Sequence, residues 1–558
     1  MSNPPPSQGI DPFTTGVVPP SPEVKEWCLT NIRPPHTNIQ IFKSELGNIR
    51  ERRGEVARSM AEKEQELMVL REEDELLQTY AETYEMILHP MRHLPDAVLC
   101  EIFNVCVDDQ LRAITNLFGV PSYQNSLHPL APPWTLSQVC HRWRDVALSC
   151  SSLWSRISFG FSSNGFLRIG PSLERLILQL QRSKNCPLAV TIYGIQSPQY
   201  PINLLITGPY LSPLSPLLIS LSIHSNRWET LHISISSGND FQVVHRFISA
   251  VKGKLQTLRH LSLSLSLDCS VPLVAPGQPL VIDGLGIAPK LESFGFHGAN
   301  DPSRYLELPW NQITHLRVHW PDVGYDYMQS IHRMSKLRVW VHIGAFVPSV
   351  HPPPFLQSQV VRPTLEHLHH LYIFPSYPAR ITRSPLDTLT APNLQILCLT
   401  RDSNRSPGIY AFLTRVAPTL RSLYLDLSHL TIVDIERMLR IVSNLQSLHV
   451  SSASEAFTAA MGASLVEDSK TPCLVPDLRE LGIFYPYEFS GSTFLQMVKF
   501  RIRLGSRASQ SRLQRFLYDG KSDSCYYGID EITEQQLLSL RSDTFEVDDA
   551  AKPWFTLL

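Results

Sequence analysis

The chain has 558 residues, of which 43% are hydrophobic and 18% charged, and its formal net charge is −2. A chain of this length can bury a large core and is expected to form more than one domain. The near-neutral charge provides no overall field for binding nucleic acid or an anionic membrane, so we expect neither partner. We also expect no signal peptide and no membrane span, because no basic segment followed by an apolar one begins the chain and no run of about 18 apolar residues occurs.

Residues 1–37 are rich in proline and poor in apolar side chains. This composition predicts a disordered tail.

An apolar seam runs through residues 38–88, with its members alternately three and four residues apart. The seam consists of Ile39, Phe42, Leu46, Ile49, Arg53, Val56, Met60, Lys63, Leu67, Leu70, Asp74, Leu77, Ala81, Tyr84 and Leu88. The spacing predicts a long coiled-coil helix over 38–90, although its three charged members and Gly47 and Gly54 weaken it. Three alternatives remain open: a homodimer through 38–88, a partner helix, or a lone helix that folds back on the protein.

Two short amphipathic segments follow. In the first, Pro95 suits the first turn of a helix, and Val98, Leu99, Ile102 and Phe103 form one broad apolar face. The second segment repeats the helical spacing at Leu136, Val139, Cys140, Trp143 and Ala147, and Leu153-Trp154 follows it. Helices this short need each other and a third surface, which is either the protein's own chain or a partner.

The pattern L-P-x-x-x-L-x-x-I-F, followed by V-C-x-x-W-R-x-x-A and a trailing L-W, resembles the F-box of a large group of fungal, basidiomycete-type F-box proteins. The resemblance implies an all-α F-box over residues 91–158 that docks onto a Skp-type adaptor protein and, through it, a cullin complex. The residues that it implies for this contact are Leu94, Pro95, Leu99, Ile102, Phe103, Val139, Cys140, Trp143 and Trp154. Residues 107–133, with four prolines, are an insertion relative to a compact F-box and are predicted to form a surface loop.

From about residue 170 a Leu-x-x-Leu-x-Leu motif recurs ten times at intervals of 22 to 33 residues. We call the second apolar residue of each motif its anchor residue. The ten anchors are Leu231, Leu261, Phe294, Leu316, Trp340, Leu371, Leu397, Leu423, Leu448 and Leu481. The motif predicts a degenerate leucine-rich-repeat solenoid over 170–545, in which each unit supplies a strand to a parallel sheet and usually a helix. The helical candidates are 241–252, 325–335, 408–417, 431–443 and 493–503. The expected fold class is α+β in several parts: a long N-terminal helix, an all-α F-box and an α/β leucine-rich-repeat-like solenoid.

The concave face of such a sheet is expected to bind protein through its solvent-facing strand residues. The candidates are His232, Ser262, Arg317, His319, Tyr372, Tyr424, Asp426 and His449. Alternatively, these residues are ordinary solvated strand positions.

Catalytic motifs are lacking in the sequence, so we expect no enzyme, no cofactor and no metal. Gly284-Leu285-Gly286 does not fit a dinucleotide turn, and His367 and His369 lack companion ligands. The ten cysteines include no C-x-x-C pair, which predicts buried free thiols and a cytoplasmic or nuclear location. The basic residues Lys499, Arg501, Arg503, Arg507, Arg512 and Arg515 are expected on a solvated helix face, or alternatively at an acidic partner.

Taken together, these features predict the substrate-recognition adaptor of a Skp–cullin–F-box ubiquitin ligase, with an unknown protein substrate on the solenoid. The alternative is an interaction scaffold outside the ubiquitin system that binds through the same leucine-rich-repeat surface. An enzyme is the third hypothesis, and no group of residues supports it.

Overall fold

The computed structural model divides into two compact units, Met1–Pro95 and Asp96–Leu558, which are described separately. The structure describes residues 21–30, 33–112, 125–160, 169–195, 215–235, 238–265, 273–275, 278–298, 302–322, 328–345, 363–374, 386, 388–400, 408–428, 430–452, 457, 461, 474–484, 491–504, 513–518, 531–542 and 545–549.

The first unit consists of a short helix, α1 (Pro22–Thr30), and a long helix, α2 (His36–Leu88), followed by a 3-10 turn at Pro90–Arg92. Helix α1 corrects the prediction of a disordered tail over 1–37 for part of that segment; residues 1–20 lie outside the described residues. The reason is the apolar residue Trp27, whose ring meets Phe42 of α2 edge-on at 5.3 Å between centroids.

Helix α2 is unbroken over 53 residues, and none of its side chains is buried. Charged pairs on successive turns support it locally, as between Arg52 and Glu55 and between Lys63 and Glu66, both at 2.7 Å. Each such exposed pair contributes only a few tenths of a kcal/mol, roughly 0.2–0.5. The long N-terminal helix that the sequence predicts is therefore present.

The second unit begins with α3 (Asp96–Arg112), a 3-10 turn at Leu136–Gln138, α4 (His141–Ser149) and a 3-10 turn at Ser151–Trp154. The prediction of a surface loop over 107–133 is wrong at both of its ends. Helix α3 runs on through Arg112 with Val107 buried, and Leu127 and Ala131 are buried apolar residues. Residues 113–124 lie outside the described residues.

Fourteen parallel strands follow one another in chain order across a single sheet in the described part of the chain. Their bounds are β1 Arg156–Gly160, β2 Leu188–Ile195, β3 Trp228–Ile235, β4 His260–Leu265, β7 Ser293–His297, β8 His315–Asp322, β9 Val339–Ala345, β10 His370–Phe374, β11 Ile396–Leu399, β12 Ser422–Asp426, β13 Ser447–Ser451, β14 Glu480–Phe484, β15 Arg515–Tyr518 and β16 Glu546–Asp549. Strands β5 (Leu273–Ala275) and β6 (Gln278–Pro279) form a separate antiparallel pair.

All ten predicted anchor residues, from Leu231 to Leu481, lie in strands of this sheet, and they share one register across it. The sheet also extends beyond the predicted boundaries: β1 begins at Arg156, inside the segment assigned to the F-box, so the first strand precedes residue 170. This parallel, sequentially ordered sheet is compatible with a leucine-rich-repeat solenoid.

Helices occupy several of the connections between strands. They are α5 (Ile169–Arg182), α6 (Ser215–Ser222), α7 (Gly238–Ala250), α8 (Met328–His332), α9 (Ile409–Val416), α10 (Ile432–Ile441) and the helices Gly491–Leu504 and Glu531–Leu538. Each of the five predicted helical segments contains or overlaps one of them. Helix α10 begins with a capping box between Thr431 and Asp434, which satisfies backbone donors at its first turn.

The anchor residues fill a continuous apolar core that extends from Leu127 to Val547. The alternation of strand side chains places every second residue on this side of the sheet and its neighbours on the other. A second, smaller cluster lies among those neighbours and includes Val341, Tyr372, Cys398, Tyr424 and Phe484. The prediction that Tyr372 and Tyr424 face solvent is therefore wrong, because both side chains are buried in this cluster.

Candidate functional site

Helix α3 has apolar residues on two opposite faces. Leu99, Phe103 and Val107, spaced four residues apart, are buried. Val98, Ile102 and Val105 lie on the other side, where Val98 is 42% exposed, Val105 56% exposed and Ile102 partly buried. We call Val98, Ile102 and Val105 the outer stripe. One face of α3 thus builds the core, and the outer stripe is available to another molecule.

Helix α4 begins later than the sequence predicts, which corrects the assignment of Leu136–Ala147 to one amphipathic helix. A 3-10 turn ends at Gln138, and Cys140 is extended with φ −156°. The Cys140 sulfur accepts a hydrogen bond from the backbone N–H of Trp143 at 3.4 Å, so that Cys140 caps the helix. Cys140 is exposed and does not lie on a buried helix face; Val139 is likewise 60% exposed.

Aromatic residues join the two helices to each other and to the sheet. The rings of Phe103 and Trp143 lie 4.9 Å apart between centroids. The indole of Trp154 is fully buried, and its N–H donates a hydrogen bond to the carbonyl of Ala147 at 2.7 Å. Trp134 meets Trp154 edge-on at 4.9 Å between ring centroids. These contacts fix α4 against α3 and against the 3-10 turn at Ser151–Trp154, which leads directly into β1.

Two ion pairs cross between segments of this region. The Arg142 guanidinium on α4 binds the Asp96 carboxylate at the first turn of α3, with Nη2 and Oδ1 2.7 Å apart. Arg156 of β1 pairs with Asp108 near the end of α3. Asp96 also suits the positive end of the helix dipole. Because the Asp96–Arg142 pair is largely exposed, it contributes more to orientation than to stability.

Cys100 of α3 and Cys150 at the end of α4 form a disulfide, with their Cα atoms 6.3 Å apart. This pairing corrects the prediction that all cysteines are free thiols. Of the other cysteines that the structure describes, Cys106 and Cys140 are exposed in the same region. The disulfide joins the helix pair on the side away from Cys140, where α4 ends.

The helix pair is continuous with the sheet. The Ser126 backbone N–H donates to the carbonyl of Ser158 at 2.7 Å, and the Ser158 N–H donates to the Ser126 hydroxyl at 3.0 Å. The Gln179 amide of α5 donates to the carbonyl of Arg156 at 2.7 Å. Residues 125–160 therefore hydrogen-bond within β1 and to α5 at the first end of the solenoid-like sheet.

The residues that the sequence assigned to the adaptor contact fall into three groups. Leu99, Phe103 and Trp154 are buried, Ile102 and Trp143 are partly buried, and Val139 and Cys140 are exposed. Leu94 and Pro95 belong to the first unit. The structure brings Phe103 and Trp143 into contact, and it adds Val105, which the sequence analysis missed. Its spacing of seven residues from Val98 was the available signal.

The predicted substrate residues lie on the face of the sheet opposite the main core. His232, Ser262 and Arg317 occupy one register row, with Gly295 between Ser262 and Arg317. In the same row, Val341, Tyr372, Cys398 and Tyr424 follow, and then His449. This face is therefore polar and rich in histidine across β3–β8 and apolar across β9–β12.

Burial keeps His232 and His319, two histidines of the polar half, uncharged at neutral pH. Burial lowers the pKa of His232 to about 4. Burial, with smaller contributions from His297 and Arg317, lowers the pKa of His319 to about 4. The rings of His297 and His319 are stacked at 4.5 Å between centroids, and His297 shares a 2.9 Å hydrogen bond with the Ser264 hydroxyl. At neutral pH this surface therefore presents uncharged imidazoles beside the partly buried Arg317.

A polar group near the other end of the sheet is held by Glu480. The His449 imidazole lies 2.7 Å from Glu480 Oε1, and the Ser447 hydroxyl donates to the same oxygen at 3.1 Å. The hydrogen bond with His449 is the largest cause that lowers the pKa of Glu480. His449 is thus engaged within the sheet, and Asp426 accepts a hydrogen bond from the Ser428 backbone N–H at 3.0 Å.

The remaining candidates of the sequence analysis have structural roles or no close companions. Arg501 is buried and donates to the carbonyls of Leu474 and Val475 at 2.7 and 3.1 Å, which corrects its assignment to a solvated helix face. Arg507 and Arg512 lie outside the described residues. Within the described ranges, no group of three or more His, Cys, Asp and Glu side chains is placed to hold a metal ion.

No helix in the part of the chain that the structure describes is both long and apolar enough to cross a membrane.

Residues 59–165 match the family described as the F-box-like domain. The match begins inside α2 and ends just after β1, so it includes the helix pair, the outer stripe and the first strand of the sheet. No curated protein shows a significant match to this chain. The chain therefore carries an F-box-like domain in the segment where α3 exposes its outer stripe.

Proposed function

We propose that this protein is a substrate-recognition subunit of a Skp–cullin–F-box ubiquitin ligase, with its F-box-like domain docking a Skp-type adaptor. F-box domains generally bind adaptors of this kind, and the match at residues 59–165 supports the same partner here. The observation that carries the proposal is the outer stripe, because an apolar helix face left exposed beside a buried one fits a protein interface.

In this proposal the sheet, which we take to be a leucine-rich-repeat solenoid, binds a protein substrate on its polar face near His232 and Arg317. The protein has no catalytic step of its own. It raises the effective concentration of the substrate at the ligating enzyme and orients it there. We propose a cytoplasmic or nuclear location, where Skp-type adaptors and cullins would meet it.

A scaffold outside the ubiquitin system is the second candidate. It is favoured by α2, whose seam gives the chain another exposed apolar surface besides the outer stripe. Such a scaffold either uses the helix pair only to close the end of the sheet or binds the adaptor without a cullin.

The test is co-purification of the full-length chain with a Skp-type adaptor and a cullin. The informative variants are Val98→Asp and Val105→Asp, which place a charge on the outer stripe without touching the core. We expect each to weaken adaptor binding by at least roughly tenfold, because a buried unpaired carboxylate in an interface costs several kcal/mol. The double variant Leu94→Ala/Pro95→Ala tests the contact that the family resemblance implies.

The matched control is Val433→Asp, at a position on α10 that is 70% exposed and distant in sequence from the F-box-like domain. It should bind like the wild type. Absence of the adaptor from the wild-type preparation would overturn the proposal, and an adaptor without a cullin would favour the scaffold. Unchanged binding by both outer-stripe variants would show that the adaptor docks elsewhere.

A further inference from the structure

The seam of α2 is exposed along most of its length. From Leu46 to Leu88 its large apolar members are between 47% and 68% exposed, namely Leu46, Ile49, Val56, Met60, Leu67, Leu70, Leu77, Tyr84 and Leu88. A helix that leaves so many apolar side chains in water gains little from burial, and helices owe most of their stability to packing of an apolar face. We therefore expect another apolar surface to pack against the seam.

The first part of the seam already has one. Trp27 of α1 contacts Phe42, and Ile39 and Phe42 are partly buried, in contrast to the seam members after them. The uncovered seam thus begins after the segment that α1 covers and continues to the end of α2 at Leu88.

The three charged residues of the seam determine whether a parallel or an antiparallel partner helix fits. Arg53 and Asp74 are a positions and Lys63 is a d position of the heptads. In a parallel, in-register pair each of them would face its own copy, giving three like-charge contacts at the centre of the interface. In an antiparallel pair an a position faces a d position of the other helix, so Lys63 can face Asp74.

We infer that α2 forms an antiparallel homodimer centred between Met68 and Val69. This register places Lys63 opposite Asp74 of the second copy, and Asp74 opposite Lys63 of the second copy. It also places Arg53 opposite Tyr84, whose ring face can receive a guanidinium. All the other seam contacts of this pair join apolar residues, such as Leu67 with Leu70 of the second copy.

No neighbouring register gives the same complementarity. A shift of one heptad in one direction places Lys63 opposite Leu67 and Asp74 opposite Val56. A shift in the other direction places Lys63 opposite Ala81 and Asp74 opposite Leu70. Each of these shifts places Lys63 and Asp74 opposite apolar residues, with no opposite charge across the interface, which is unfavourable.

The charges that flank the seam attract each other across the pair at the e positions and repel each other at the g positions. On the e side, Arg50 lies opposite Glu85 and Glu64 opposite Arg71, each twice by symmetry. On the g side, Glu66 lies opposite Glu73, also twice. The e-side ion pairs and the Lys63–Asp74 contacts together outnumber the g-side repulsion, so the flanking charges favour this register.

The paired segment of this register is Ile49–Leu88, roughly 60 Å long at the rise of an α-helix. It begins two turns after Phe42, which α1 contacts, and ends where α2 ends. The antiparallel pair thus uses the whole uncovered seam except Leu46, and a second copy of this chain is the partner that fits it.

Charge exchange at Lys63 and Asp74 tests the inference in the full-length chain, by sedimentation equilibrium and light scattering across a concentration series. The wild type should reach twice the chain mass of 63.1 kDa. Lys63→Glu places two carboxylates in contact and Asp74→Lys two ammonium groups, so each should raise the dimer dissociation constant by at least roughly tenfold. The double variant Lys63→Glu/Asp74→Lys restores opposite charges and should recover the wild-type constant.

The matched controls are Arg58→Glu and Glu72→Lys, which make the same charge changes on the outward f positions of α2 and should leave the dissociation constant unchanged. A monomeric wild type would overturn the inference. A dimer whose double variant is as weak as the single variants would overturn the antiparallel register, because a parallel pair gains nothing from the exchange. A dimer that none of the seam variants weakens would place the interface elsewhere and would also overturn it.

Discussion

The rings of Phe103 and Trp143 lie 4.9 Å apart between centroids and are tilted by 56°. Phe103 is fully buried on α3, whereas Trp143 on α4 is partly exposed. Because α4 has only nine residues, it depends on contacts of this kind for its orientation. The pair therefore links the core of the F-box-like domain to the segment that carries Val139 and Cys140.

The energy of the Phe103–Trp143 contact should be measurable by truncating each side chain to alanine. We expect Phe103→Ala to lower the free energy of unfolding by about 3–5 kcal/mol, since it opens a cavity in the core. The coupling between Phe103→Ala and Trp143→Ala in a double-mutant cycle should be about 0.5–1.5 kcal/mol. Urea unfolding followed by circular dichroism measures both. The control Val105→Ala, at an exposed position of the same helix, should stay within about 0.5 kcal/mol; a Phe103→Ala effect no larger than that would contradict the packing described here.

The disulfide between Cys100 and Cys150 should stabilise the helix pair under oxidising conditions. The two cysteines are 50 residues apart in sequence, and closing a loop of that size in the unfolded chain contributes about 2–4 kcal/mol. Cys150→Ser should therefore lower the urea midpoint of the oxidised protein and have a much smaller effect in reducing buffer. Non-reducing peptide mapping should recover a peptide pair joined through these residues. Recovery of both thiols free from the oxidised protein would contradict the pairing.

The strands were predictable from the sequence because their signal is local. An apolar residue at every second position of a strand specifies which side faces the core, and the ten predicted anchors all lie in the sheet. Strands β1, β2, β15 and β16 carry none of the ten anchors and were missed. At β1, Trp154, Ile157 and Phe159 follow the same spacing as the anchors, but their aromatic residues and the assignment of Trp154 to the F-box hid the repeat.

The parts that the sequence could not predict depend on contacts between distant residues. Tyr372 and Tyr424 occupy the expected side of the sheet, but the alternation of a strand does not reveal that this side is covered. Cys140 has helical spacing from Trp143, yet a 3-10 turn before it shifts the start of α4. The Cys100–Cys150 pairing likewise requires knowledge of where α3 and α4 cross, which no spacing supplies.

The histidines on the polar half of the sheet should make the protein less stable in mild acid. The pKa values of His232 and His319 are each lowered to about 4 by burial, whereas a histidine in the unfolded chain has a pKa of about 6.5. Between pH 6.5 and pH 4 the unfolded chain therefore binds protons that the folded chain does not, and stability falls as the pH falls through this window. Above pH 6.5 the two residues add no pH dependence.

The measurement is the urea midpoint at pH 7.5 and at pH 5.0. The free energy of unfolding should fall between these two pH values. We expect His232→Gln and His319→Gln each to make that fall smaller by about 1–2 kcal/mol, since a shift of one pKa unit corresponds to about 1.4 kcal/mol. His141→Gln is the control, because this histidine is exposed on α4. An equal loss in the wild type and in both sheet variants would show that these imidazoles are protonated in the folded protein.

Gly284 should be intolerant of any side chain. A Cβ atom built on Gly284 would overlap the backbone carbonyl of Ile248 in α7, and backbone cannot move aside as a flexible side chain can. We expect Gly284→Ala to lower the free energy of unfolding by about 1–3 kcal/mol, as overpacking of a well-packed site does. Gly286→Ala is the matched control, since its nearest contacts are at 3.3 Å and one of them is the flexible side chain of Glu307. Equal urea midpoints for the two variants would contradict the close approach of α7 to Gly284. They would also contradict the explanation that this contact requires a glycine at position 284.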